Sequence, residues 1–127
     1  MTAALIDKRL LVVEDEYMLA DDLARALSAA GAEVIGPFPN ENLALTWMDR
    51  GGRIDGAVLD INLDGQISVA VAERLIADNV PFVLATGYGQ AAVDPRFAEV
   101  PRWEKPYDAR ELAGALSAEL FDHLSRT

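Results

Sequence analysis

The chain has 127 residues, of which 51% are hydrophobic and 25% charged, and its formal net charge is −10. That length suits one domain, and the apolar share is too high for a disordered chain. With 11 basic residues against 21 acidic ones, no basic face is available for nucleic acid or for an anionic membrane surface. The absence of cysteine excludes disulfides, thiolate metal sites and cysteine nucleophiles. The single histidine, His123, excludes multi-histidine metal sites and argues against a Ser-His-Asp triad. No apolar run approaches the ~20 residues of a membrane helix, and the first residues lack the pattern of a secretion signal. A soluble, cytoplasmic, single-domain protein is expected over 1–127.

Apolar runs alternate with helical patterns along the chain. Leu10-Leu11-Val12-Val13 reads as a first strand and stops at Glu14-Asp15-Glu16. Leu19, Leu23, Leu27 and Ala30 then recur at helical spacing, and Gly31 sits where a helix ends. A short second strand, Glu33-Val34-Ile35-Gly36, is expected to stop at Pro37. Asn40 is placed to cap a second helix that buries Leu43, Ala44, Trp47 and Met48.

Ala57-Val58-Leu59 is the third strand and ends in Asp60. Ser68 is placed to cap a third helix through Val69, Ala72, Leu75 and Ile76. Pro81-Phe82-Val83-Leu84-Ala85 is the fourth strand and ends in Thr86. Residues 87–96 are predicted to form a short, irregular helix, because two glycines and Pro95 interrupt them. A weak fifth strand over 99–104 leads into Lys105-Pro106. Asp108-Ala109-Arg110-Glu111 is a capping box that opens a last helix with Leu112, Leu116, Leu120 and Leu124.

Strands that read as continuous apolar runs belong to a parallel sheet covered on both faces. Their alternation with helices predicts an open, doubly wound α/β domain. Ligands of such sheets bind outside the carboxyl ends of the strands. Those ends carry Glu14 and Asp15, Asp60, Thr86 and Lys105. Clustered carboxylates stay ionised together only with a cation present or a proton shared. Oxygen ligands with positions left to water suit Mg²⁺. A cation, a lysine and a hydroxyl around a carboxylate form the set that phosphoryl transfer needs, and an aspartate can be the nucleophile. Asp60 is the best candidate, because its strand should be central.

Glu14-Asp15, Asp60, Thr86 and Lys105-Pro106, in this order and spacing, resemble the signature of response regulator receiver domains of two-component signalling. The resemblance covers residues 9–124. It implies a flavodoxin-like sheet of order 2-1-3-4-5 with helices on both faces. It implies that Asp60 accepts a phosphoryl group from a histidine kinase or phosphotransfer protein. Glu14, Asp15, Asp60 and the backbone carbonyl of Asn62 would hold Mg²⁺, Thr86 and Lys105 would contact the phosphoryl group, and the bond before Pro106 would be cis. A downstream protein partner would carry the response, and a homodimer is compatible with the family. On this reading the chain is a phosphoacceptor rather than a turnover enzyme, and its output lies in another protein.

The run Pro81 to Gly89 resembles the receiver subgroup nicknamed "FAT GUY", with Gly87 and Tyr88 after the hydroxyl. Many receivers carry a switch aromatic three residues before the lysine. Here that residue is Arg102, which leaves Tyr88 or Trp103 as substitutes. The loop after Asp60 lacks the proline that many receivers place there.

Other readings of the same residues are weaker. Asp60-x-Asn62-x-Asp64-Gly65 matches the first half of an EF-hand loop, but its twelfth position is Val71 and a strand precedes it. A phosphatase with a strand-end Asp nucleophile wants a second acid where Asn62 stands. A receiver-fold interaction module that acts without phosphorylation would not need the full acid, hydroxyl and lysine set. Gly87-Tyr88-Gly89 lacks the spacing of a phosphate-binding loop, and His123 reads as a surface residue of the last helix.

Overall fold

The computed structural model describes residues 5–61, 69–86, 97, 99–105 and 107–121. Five strands form one sheet: β1 (Arg9–Val13), β2 (Glu33–Phe38), β3 (Gly56–Ile61), β4 (Phe82–Thr86) and β5 (Arg102–Glu104). Their order is β2-β1-β3-β4-β5 and every pairing is parallel. The helices among the described residues are α1 (Tyr17–Ala29), α2 (Glu41–Met48), α3 (Val69–Ala77) and α4 (Ala109–Leu116). A π-helical turn, Ser117–Phe121, continues α4.

Alternation along the strands divides the apolar residues between two faces. Leu11 and Val13 of β1 join Leu59 and Leu84 under α2 and α3. Leu10 and Val12 join Val58 and Val83 under α1 and α4. Every residue of β4 is buried. The expected two-faced parallel sheet is therefore the observed one.

Local chemistry sets the element ends. Gly31 takes φ +103° just past α1, a conformation that glycine adopts without Cβ strain. Asn40 Oδ1 accepts from the Leu43 amide at the start of α2. Asp108 Oδ1 accepts from the amides of Arg110 and Glu111 at the start of α4. The Ala70 amide at the start of α3 donates to Glu41 Oε2 of α2, which ties the two helices together.

Several expectations are corrected. β2 does not stop at Pro37 but runs to Phe38, through a cis Gly36–Pro37 bond. As an edge strand it tolerates the missing proline donor, and the pairing with β1 shifts register there. β5 is shorter than 99–104, because Pro101 has no amide to donate and contributes only its carbonyl, to the Leu84 amide. Leu43 and Ile76 are each 48% exposed rather than buried. In helices this short only one stripe reaches the sheet: Ala44 and Met48 in α2, Val71, Ala72 and Leu75 in α3. Ser68, the 87–96 segment, His123 and Leu124 lie outside the described residues.

Gly56 at the start of β3 makes room for the end of the chain's last helix. A Cβ there would meet Leu120 Cδ1 at 2.9 Å, Leu10 Cδ2 at 3.1 Å and Phe121 Cζ at 3.3 Å. Gly56→Ala should therefore cost about 1–3 kcal/mol by overpacking, read as a lower urea midpoint with an unchanged m value. An unshifted midpoint would mean that the π-helical turn gives way freely.

Candidate functional site

Strand register builds the site. Val13 of β1 lies beside Leu59 of β3, so the next residues along, Glu14 and Asp60, meet at the carboxyl edge. Asp60 pairs in turn with Ala85 of β4, and Ala85 with Trp103 of β5. One step further, the Lys105 amide donates to the Thr86 carbonyl at 2.7 Å, which fixes the lysine beyond the end of β5.

Glu14, Asp15 and Asp60 each present a carboxylate oxygen within 4.8 Å of the other two. Lys105 Nζ lies 2.6 Å from Asp60 Oδ1 and 3.0 Å from Glu14 Oε2. Glu14 Oε2 also accepts from the Glu16 amide at 3.1 Å. The Glu14 side chain is 2% exposed, that of Asp60 9% and that of Lys105 14%. One ammonium thus stands against two largely buried acids, Glu14 and Asp60, and the exposed Asp15 at the mouth of the cleft.

The electrostatics follow from that imbalance. Burial, then the charge of Asp60, pushes the Glu14 carboxyl up to about 7 despite its bonds to Lys105 and the Glu16 amide. Burial pushes Asp60 up to about 6; Lys105 opposes the rise and Asp15 adds to it. Burial works against the Lys105 ammonium, but its contacts with Asp60 and Glu14 more than offset this and hold its pKa above the usual lysine value. The cleft lacks positive charge.

A divalent cation fits this donor set. Three hard carboxylate oxygens face a common point, and Asp60 Oδ1 is buried with the Lys105 ion pair but no aligned hydrogen bond. Mg²⁺ prefers such oxygen ligands and keeps water in its remaining positions.

Of the residues singled out from sequence, Glu14, Asp15, Asp60 and Lys105 are brought together. Thr86 is buried at the end of β4, 6% exposed. Arg102 is exposed on β5, and Trp103 is half-buried. Asn62, Gly87, Tyr88 and Pro106 lie outside the described residues.

Two residues near the site were not singled out. Glu16 Oε1 comes within 3.9 Å of Lys105 Nζ; the signal was its place directly after Glu14-Asp15. The Tyr107 hydroxyl is buried with no hydrogen-bond partner among the described residues. Burial, then Glu14, Asp60 and Glu16, pushes the phenol above its ordinary range. Its signal was position alone, two residues past Lys105.

No family model matches the chain, but individual proteins do. The solution structure of SdrG from Sphingomonas melonis Fr1 is 38% identical, with a TM-score of 0.73, over 93% of this chain and 98% of that one. The sensory transduction protein RegX3 of Mycolicibacterium smegmatis is 36% identical over 121 residues, covering 87% of this chain and 49% of the relative. The response regulator protein TrrA of Thermotoga maritima, crystallised in complex with Mg²⁺-BeF, is 26% identical with a TM-score of 0.72, over 89% of this chain and 99% of that one. The chain spans about half the length of the curated relatives it matches. It belongs to the receiver domains of two-component response regulators.

Proposed function

We propose that the chain is a phosphorylation-controlled signalling switch in which Asp60 accepts a phosphoryl group from a histidine kinase or a phosphotransfer protein. The observation that carries the reading is the buried Asp60 carboxylate, 2.6 Å from Lys105 Nζ and grouped with Glu14 and Asp15. The Mg²⁺-BeF complex of TrrA supports it by analogy. The run from Phe82 to Tyr88 supports placing the chain in the "FAT GUY" subgroup.

Mechanistically, an Asp60 oxygen attacks phosphorus, a P–O bond forms and the P–N bond to the donor histidine breaks. The histidine leaves with the electron pair and takes up a proton. A bound Mg²⁺ supplies positive charge to the phosphoryl oxygens. Glu14, Asp15 and Asp60 would hold it, and the family resemblance adds the Asn62 carbonyl. Lys105 turns from the carboxylates to a new phosphoryl oxygen, and the Thr86 hydroxyl donates to another. The product is a modified protein read by a partner, not a released small molecule. We place this action in the cytoplasm, where such phosphodonors act. No helix among the described residues is long and apolar enough to cross a membrane.

The test is stoichiometric labelling. One phosphate per chain from a kinase or acetyl phosphate, lost on Asp60→Asn, is expected. Continued turnover of a small phosphate ester would replace this reading with a phosphatase. The metal has its own test: Asp15→Asn should weaken Mg²⁺ binding by at least ~10-fold, measured by calorimetry. Unchanged affinity would remove Asp15 from the ion's shell.

A further inference from the structure

β5 is three residues long and lies at the sheet edge, bonded only to β4. It is the shortest strand of the sheet, and Lys105 follows directly after it. Side chains alternate along a strand, so Trp103 and Lys105 leave the chain in the same sense. Lys105 reaches the acidic cleft. Trp103 reaches the end of the last helix, where its indole Nε1 donates to Glu119 Oε1 at 2.9 Å.

Glu119 lies in the π-helical turn Ser117–Phe121. Such turns are rare, arise where a helix absorbs one extra residue, and cluster at functional positions. This one is clamped from three sides. Trp103 holds Glu119, Lys8 Nζ sits 4.5 Å over the Phe121 ring, and Leu120 packs against Gly56 and the core face under α1 and α4. Of these clamps, Gly56 opens the strand of Asp60, and Trp103 stands on β5 two residues before Lys105.

We propose that the Trp103–Glu119 hydrogen bond is the link by which the state of the cleft reaches the C-terminal turn. The proposal rests on the phosphoacceptor reading above. With Lys105 paired to Glu14 and Asp60, β5 is positioned so that the bond is made. When Lys105 turns to a phosphoryl oxygen on Asp60, β5 shifts with it, Trp103 leaves Glu119, and the turn Ser117–Phe121 is released. The bond thus favours the unphosphorylated state. Coupling is reciprocal, so its removal must tighten binding of a phosphoryl mimic.

The experiment uses the full chain, Mg²⁺ and beryllofluoride, with nitrogen-15 labelling. The chain has two tryptophans, so two indole N–H signals appear, and Trp47→Phe assigns them. The Trp103 signal should move on adding beryllofluoride while that of Trp47 stays. In Glu119→Ala the Trp103 signal should start at its shifted position and move little. Beryllofluoride affinity should rise about fivefold, as expected for losing one hydrogen bond of ordinary strength. Glu119→Gln keeps an acceptor oxygen and should change affinity less than twofold. Wild-type affinity in Glu119→Ala, or a Trp103 signal that ignores beryllofluoride bound to the wild type, overturns the link alone. Failure of beryllofluoride to bind the wild type overturns the phosphoacceptor reading and the link with it.

Discussion

Asp60→Asn is expected to reduce phosphoryl uptake to background while making the metal-free protein more stable. The amide keeps the shape of the side chain but removes the nucleophilic charge. It also removes a buried charge that lies among two other acids. Asp60 ionises only at about 6 in the folded chain, against an ordinary value of 3.8. Each unit of such a shift is worth about 1.4 kcal/mol, so the ionised form costs the fold a few kcal/mol at pH 8. Part of the Lys105 pairing is lost with it. A net gain of about 1–3 kcal/mol is expected, checked by urea unfolding beside the labelling assay. Loss of labelling with a gain in stability separates a chemical defect from an unfolded variant. Labelling that persists would remove Asp60 from its role.

The second large effect is a fall in metal-free stability as pH rises. Glu14 titrates at about 7 in the folded chain against 4.5 for the free side chain, and Asp60 is shifted in the same direction. Between about pH 4 and pH 7 the folded state therefore holds protons that the unfolded chain has released. Stability is highest below this window and is lost as pH rises through it. The raised Lys105 value adds stability that is complete at all these pH values, so it leaves the slope unchanged. Glu14 alone accounts for about 3 kcal/mol, or roughly 10 °C in Tm for a chain of this size. In EDTA, Tm should drop by that order between pH 5 and pH 8. Millimolar Mg²⁺ at pH 8 should restore most of the loss, because it binds the ionised cleft of the folded state alone. A Tm that rises across the window would contradict the electrostatics of the cleft.

Much of this was legible in the chain because it depends on order along the strands. Apolar runs ending in Glu14, Asp60, Thr86 and Lys105 place those residues at one sheet edge in any parallel α/β arrangement. Side-chain rotation was less legible. Leu43 fits a helical apolar pattern, yet α2 is too short to bury more than the stripe of Ala44 and Met48. The fate of Pro37 depended on β2 being an edge strand, which strand spacing does not state. The Trp103–Glu119 bond joins residues 16 apart across two elements. Its existence depends on a π-helical turn that no local pattern announced. Likewise, the charge excess of the cleft was readable from the acids, but the depth of their burial was not.

The sheet also acts as a partition. Leu59 and Leu84 look toward α2 and α3, whereas Val58 and Val83 look toward α1 and α4. The Trp103 contact lies wholly on the second side. Neighbouring residues of a single strand thus serve different compartments. The strands that both sides share end at the rim where Glu14, Asp60 and Lys105 meet. The cleft thus stands at the edge of strands that belong to both halves of the molecule.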